Sequence, residues 1–141
     1  MPWLSFDASL AYSRARFRDE DPAGDRIPGA IEGVATAGAS LNGVKGWFGS
    51  VRLRYFGPRP LIEDNRVRSK ASRVVNAQVG YKLRNGWRLK LDLYNLFDAK
   101  VSDIDYFYTS RLRGEPAEGT DDIHTHPFGP LSVRGGVSAS F

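Results

Sequence analysis

The stretch Trp47-Phe48-Gly49-Ser50-Val51-Arg52-Leu53-Arg54-Tyr55-Phe56 places Trp47, Val51, Leu53 and Tyr55 on odd positions and Ser50, Arg52 and Arg54 between them. A period of two is that of an extended strand with one apolar and one polar face; an amphipathic helix would repeat near 3.6. The alternation continues on both sides of this stretch. Downstream, Val75, Ala77, Val79, Tyr81 and Leu83 alternate with Asn76, Gln78, Gly80 and Lys82, and Trp87, Leu89, Leu91 and Leu93 with Arg88, Lys90 and Asp92. At the C-terminus Leu131, Val133, Gly135, Val137, Ala139 and Phe141 alternate with Ser132, Arg134, Gly136, Ser138 and Ser140. Upstream, Leu4, Phe6, Ala8, Leu10 and Tyr12 alternate with Ser5, Asp7 and Ser9, and Ala35, Ala37, Ala39 and Leu41 keep the period through an Ala- and Gly-rich segment. The reading is about six long strands and no helix.

The connections alternate between short and long. Asn42–Gly46 and Arg84-Asn85-Gly86 are tight, and Asn-Gly is a favoured hairpin turn. The segments 19–30, 57–72 and 99–130 are long and rich in Pro, Gly and charge. A soluble meander has no reason to gather its short turns at one end, whereas an outer-membrane β-barrel has short periplasmic turns and long extracellular loops. The expected fold is therefore all-β, an antiparallel up-and-down meander of about six transmembrane strands forming an incomplete barrel.

Aromatic placement supports this independently. Trp3, Trp47 and Trp87 each begin a strand at the short-turn end, and Tyr12, Tyr55 and Tyr94 follow seven to nine residues later. At about 3.3 Å per residue and a tilt near 40° the two levels lie roughly 18–23 Å apart, close to the height of a lipid-facing band. Amphipathic rings are stable at both headgroup boundaries. The plainer alternative is a soluble barrel with aromatic residues at its ends. Arg52, Arg54, Lys82, Arg88, Lys90, Asp92 and Arg134 fall on the polar face, so they line the lumen if the apolar stripe faces lipid.

Composition narrows the classes further. The chain has 141 residues, 20 Lys+Arg against 16 Asp+Glu, 3 Trp, 6 Tyr and 8 Phe, which is the length of one domain and too aromatic for disorder. Its pI near 9.6 would suit a nucleic-acid protein, but no nucleic-acid motif accompanies the basic residues. The absence of cysteine excludes disulfides, zinc–thiolate sites and cysteine catalysis. No run of 18 apolar residues suggests a transmembrane helix, and Met1-Pro2 is followed at once by alternating residues with no apolar signal region.

With those residues in view, the chain resembles the C-terminal end of TonB-dependent outer-membrane receptors. Leu93-Tyr94-Asn95-Leu96-Phe97-Asp98 is similar to the NLFD motif before the last strand of that family. The segments 103–112, 114–116 and 121–127 resemble its last extracellular loop in one large subgroup. Arg134, Gly136, Ala139 and terminal Phe141 resemble the signal recognised by the barrel-assembly machinery. The resemblance is strong over 47–141 and looser over 1–46. It implies that residues 1–141 are the C-terminal segment of the barrel domain of a receptor for a scarce nutrient, an iron–siderophore complex above all, in the bacterial outer membrane. The family's barrel has 22 strands, and its plug and TonB-contacting segment have no counterpart in these residues. The partners implied are outer-membrane lipid, the assembly machinery, the remainder of the receptor, a metal chelate as ligand, and TonB only through that remainder. No cofactor and no nucleic acid are implied.

Candidate ligand contacts lie in the last long loop. Asp103, Asp105, Tyr106 and Tyr108 suit recognition, since loops carry it more often than scaffolds do; equally, the tyrosines merely extend a strand above the membrane. His124 and His126 with Asp121 and Asp122 offer imidazoles on one face of an extended segment, a metal-contact pattern, against the simpler reading of a polar loop. Asp19-Glu20-Asp21 and Glu63-Asp64 read as solvated charges. No phosphate loop, nucleophile elbow or triad order appears, so no enzymatic activity is expected. The competing classes are a small oligomerising or remnant outer-membrane module, separable by heat-dependent gel mobility, and a soluble β-barrel, separable by release without detergent.

Overall fold

In the computed structural model, which describes residues 3–18 and 21–140, the chain forms eight strands. These are β1 (Leu4–Tyr12), β2 (Gly33–Val44), β3 (Trp47–Phe56), β4 (Ser72–Lys82), β5 (Trp87–Tyr94), β6 (Ser102–Ser110), β7 (Thr120–Pro127) and β8 (Ser132–Ala139). One six-stranded antiparallel sheet runs β1-β2-β3-β4-β5-β8, so the six expected strands all form and pair in chain order. The sheet is an unclosed meander whose edges are β1 and β8.

The 99–130 connection is more ordered than a plain loop. It contains β6 and β7, a separate two-stranded hairpin that is not hydrogen-bonded into the main sheet. Ile104 and Tyr106 alternate with Asp103 and Asp105 on β6, but Phe107 breaks the period and the cross-strand partners are His126, His124 and Asp122, so the hairpin has no apolar face of the kind the main sheet shows.

The first short turn also differs in detail. It is Lys45-Gly46, with φ of 50° and 91°, and not Asn42-Gly43. Two central residues with positive φ make the tight hairpin turn whose twist matches that of the strands. Gly43, at φ 74°, sits where the register slips between Asn42 and Val44, so it serves a bulge. The second turn keeps its expected place: Leu83 N donates to Trp87 O at 2.8 Å around Arg84-Asn85-Gly86, with Gly86 at φ 83°. A Cβ on Gly86 would meet the Ser140 carbonyl at 2.3 Å, so this position excludes any side chain.

Register settles the two faces. The rows Trp47–Tyr81, Gly49–Val79–Leu91–Gly135, Val51–Ala77–Leu93–Val133 and Leu53–Val75 lie on one side. The rows Asp7–Gly38–Arg52–Asn76, Gly80–Lys90–Gly136 and Asp92–Arg134 lie on the other. Among the described residues neither side is covered by a second layer, which a soluble domain requires of an apolar sheet face. Phe6 is 76% exposed, Leu10 82% and Val137 64%. The chain exposes 10263 Å², where a compact monomer of its mass would expose about 7,300 Å². The buried residues Leu61, Val74, Ser69, Asn95 and Asp105 gather instead at the long-loop end.

Candidate ligand-binding site

Three long segments meet at one end of the sheet, and ion pairs between residues distant in sequence hold them together. Glu32, just before β2, accepts from Arg26 at 2.8 Å and from Arg68 at 2.6 Å, tying the first long segment to the second. Arg16 pairs with Asp25 at 3.2 Å, and Arg68 also donates to the Pro58 carbonyl at 3.1 Å. Asp21 caps the single turn Pro22–Gly24 by accepting from Ala23 N; Asp19 and Glu20 lie outside the described residues. Asp64 pairs with Arg66, so the Glu63-Asp64 pair is only partly a free solvated charge.

The Arg68 hydrogen bond, followed by the charges of Arg68, Arg26 and Arg16, holds the Glu32 carboxyl below its ordinary range against the opposing effect of burial. A carboxyl depressed in the folded state stabilises the fold above its unfolded pKa and loses that contribution as pH falls through the lower folded value. The junction of the first two long segments is therefore expected to be firm at neutral pH and to open in acid, below the ordinary glutamate range. Amide hydrogen exchange at Arg68 and Ser69 should rise as pH falls through that window, after correction for intrinsic exchange. In Glu32→Gln the rise should disappear; an unchanged rise would discount the Glu32 junction.

The second segment in turn anchors the hairpin. The Arg59 guanidinium donates to the Asp103 carbonyl at 3.1 Å and faces the Asp105 carboxylate at 3.6 Å. Asp105 is only 6% exposed, so its carboxylate, expected as a ligand contact, serves to pin β6. On the opposite, more open face of the hairpin, Ile104, Tyr106 and Tyr108 pair with His126, His124 and Asp122. The Tyr108 and His124 rings stack with centroids 3.8 Å apart, and His124 Nε2 lies 3.3 Å from the Tyr108 carbonyl. The two histidines do share a face, as their spacing suggests. No group of three His, Cys, Asp or Glu side chains suited to a metal occurs among the described residues. Asp121 accepts from the Thr109 hydroxyl, and Asp122 from Ile123 N.

Two grooves lie between these segments. One, of about 610 Å³, runs between Pro28, Leu61, Glu63, Tyr106 and Tyr108. The other, of about 480 Å³, is bordered by Arg68, Lys70, Lys100, Asp105 and Phe128. Its three cations outnumber its carboxylate, which already faces Arg59. Arg59, Arg68, Lys70 and Lys100 were not among the residues expected to matter, because nothing in their local sequence signals a meeting across three segments.

At the base of the hairpin, Asn95 is 1% exposed with φ 50°. Its amide donates to Ala99 O at 3.2 Å and Gly129 O at 2.9 Å, its side-chain oxygen accepts from Ala99 N at 2.8 Å, and its own N–H donates to Asn76 Oδ1 at 2.9 Å. Asp98 accepts from Leu131 N at 3.0 Å and from Lys100, and these bonds depress its carboxyl pKa, the Lys100 bond most. The Asn95–Asp98 motif is thus a clasp between the ends of β5, the hairpin and β8.

On the polar face of the sheet Arg52 reaches Asp7 at 3.0 Å across β2, where Gly38 leaves room: a Cβ there would meet Asp7 Oδ1 at 2.7 Å. Asp92 accepts from Gln78 at 2.7 Å and pairs with Lys90 at 3.0 Å and Arg134 at 3.5 Å. Arg54 lies over the Phe56 and Phe128 rings, and Lys82 over Phe48. The charged residues expected in the lumen, Arg88 included, thus share one face by register. Trp47, Trp87, Tyr12 and Tyr55 lie on the apolar face by the same register. Tyr94 does not: it is a neighbour of Arg134, whose guanidinium lies over its ring and donates to its hydroxyl, so it belongs to the polar face. Counting residues along a strand gave its level and ignored its parity. Tyr81, packed edge-on against Trp47 at 5.1 Å, was the aromatic overlooked at the short-turn level. Trp3 precedes β1, and its carbonyl accepts from Asn42 N at 2.7 Å. Of the residues resembling the assembly signal, Arg134, Gly136 and Ala139 lie on β8, and Phe141 is outside the described residues.

No family model and no curated protein matches the chain. Among solved structures, the whole chain superposes on part of the ferric-catecholate import receptor Fiu from E. coli K12, with a TM-score of 0.75 and 18% identity. It likewise superposes on part of the ferric yersiniabactin uptake receptor FyuA from Yersinia pestis, with a TM-score of 0.68 and 15% identity. The chain spans 19% of the first and 22% of the second, about a fifth of either receptor. At these identities what is shared is the fold: an unclosed antiparallel meander that matches a stretch of a receptor barrel.

Proposed function

We propose that this chain is a C-terminal stretch of the barrel domain of a TonB-dependent outer-membrane receptor, and that it takes part in uptake of an anionic iron chelate of the siderophore class. The observation that carries the reading is the superposition of the entire chain on two ferric-chelate receptors together with an apolar sheet face that no layer covers. In this reading the apolar face meets lipid between the tryptophan and tyrosine levels, and the charged face lines the lumen. The edges of β1 and β8 pair with strands of the remainder of the receptor, as backbone groups in a bilayer must. The remainder also supplies the plug and the contact with TonB, and the barrel-assembly machinery inserts the whole.

The loops furnish the recognition surface. Arg68, Lys70 and Lys100 supply positive charge for an anionic ligand in the groove on the Asp105 face of the hairpin, and on its other face the stacked Tyr108 and His124 rings, with Tyr106 beside them, offer aromatic surface to a ligand's rings. His126 and Asp103 lie on the same hairpin, in β7 and β6. This is binding and passage of a ligand, with no bond made or broken.

The test is made in the native cell under iron starvation. An antibody to the exposed 111–119 turn should find the chain in outer-membrane fractions, and disrupting its gene should lower uptake of at least one labelled ferric chelate tenfold or more. Recovery in the soluble fraction, with uptake unchanged across catecholate, hydroxamate and mixed chelates, would overturn the proposal.

A further inference from the structure

The charges of this chain are segregated along the strands. Fourteen of its 16 acidic residues lie in 13–32, 57–71 and 95–131, at the long-loop end. The short-turn end, residues 42–48 and 80–90, has no acidic residue but carries Lys45, Lys82, Arg84, Arg88 and Lys90. Lys90 is matched by Asp92; among the described residues, none of the other four is in an ion pair. All four are exposed; Lys82 and Arg88 lie on the polar face, Lys82 over the Phe48 ring, which leaves Lys45 and Arg84, in the turns themselves, as the cations free to meet an anion at the membrane edge.

Directly beside these turns the apolar face is indented. Gly135 stands opposite Leu91, with nothing within 4 Å of where a Cβ would be. The result is a groove of about 450 Å³ between Trp47, Tyr81, Leu89, Leu91, Gly135 and Val137. The Lys45-Gly46 turn leans on the rim of this groove, for a Cβ on Gly46 would come within 3.0 Å of the Tyr81 ring. Lys45 precedes β3 and Arg84 follows β4, and β3 and β4 are neighbours. Their turns are therefore about 5–10 Å apart, close enough for two long cationic side chains to converge on one phosphate.

We propose that this end of the sheet binds one anionic phospholipid, with its phosphate held by Lys45 and Arg84 and an acyl chain in the groove floored by Gly135. A zwitterionic headgroup fits less well, because its ammonium finds no carboxylate among the described residues at this end. The inference rests on the membrane reading above and adds to it a headgroup charge and a place.

All the tryptophans lie at this level, so their fluorescence reports the neighbouring lipid. The 141-residue chain is mixed with vesicles of equal parts phosphatidylcholine and phosphatidylglycerol, with bromine on the acyl chains of one lipid or the other. Stronger quenching by brominated phosphatidylglycerol is expected. The derived preference should fall about fivefold for each charge removed in Lys45→Asn with Arg84→Gln. It should fall also in Gly135→Leu, which fills the groove and keeps the charge. The control, Arg111→Gln with Arg113→Gln, removes the same charge from the far end and should leave the preference intact. Equal quenching by the two lipids, or an equal fall in both charge pairs, overturns the site while leaving membrane association standing. Failure to associate with either lipid overturns the site, whereas the membrane reading is overturned separately, by recovery in the soluble fraction of the native cell.

Discussion

Replacing Asn95 with alanine should destabilise the loop end of this chain by about 3–5 kcal/mol, more than any other single change in the loops. Two backbone groups, Ala99 N and Gly129 O, would lose their partner, and Ala99 O would keep only the Val101 N–H. Each buried polar group left unpaired costs about 1–3 kcal/mol. To this is added the left-handed backbone, φ 50° at Asn95, which alanine adopts at a cost of about 1–2 kcal/mol and asparagine tolerates. Asn95→Gly removes the hydrogen bonds without the backbone strain, so its deficit should be smaller than that of alanine by about that amount. Protease nicking within 111–119 and hydrogen exchange across β6 and β7 are the measurements. A hairpin as protected in Asn95→Ala as in the parent would remove the clasp from the account. The consequence reaches the ligand, because Tyr106, Tyr108 and His124 are carried on the hairpin that Asn95 holds. Chelate affinity should fall in this variant although Asn95 itself is buried beneath the surface that meets the ligand.

The same residue shows what a sequence discloses and what it withholds. Leu93–Asp98 stood out as a motif, but its physical role depends on partners from Asn76 to Leu131, which no spacing rule connects. The six strands of the main sheet were readable because each has one apolar and one polar face, so that every second residue is apolar over most of its length. In β6 and β7 the constraint is absent: Tyr106, Tyr108 and Ile104 share a face with histidine and aspartate, and the pattern blurs into loop. Ion pairs such as Arg68–Glu32 and Arg59–Asp105 join residues 36 and 46 positions apart. Such pairs follow from the pairing of strands and not from neighbours in the chain, so the cationic groove between Arg68, Lys70 and Lys100 became visible only in three dimensions. Tyr94 shows the converse error, a residue placed by its count along the strand whose face was wrong.

Whether the apolar face meets lipid can be decided with two adjacent residues. On β3, Val51 lies midway between the Trp47 and Tyr55 levels and is 44% exposed on the apolar face, while Ser50 faces the other way. An arginine at mid-depth in a bilayer costs about 2–4 kcal/mol, and one on the lumen side of the same barrel costs far less. Val51→Arg should therefore lower the stability of the membrane-inserted receptor by about that amount, read as a shift of its urea midpoint in phospholipid vesicles. Ser50→Arg, one step along the same strand, should stay within about 1 kcal/mol of the parent, since the polar face already accommodates Arg52 and Arg54. The contrast does not depend on β-propensity or on net charge, because the same residue is introduced in both. If the apolar face were the inside of a soluble barrel, Val51→Arg would again be damaging, but in water without lipid, and the chain would leave the membrane fraction without detergent. If the two variants lose equally little in the bilayer, lipid is not what this face meets, and the alternation from Leu4 to Phe141 needs another cause.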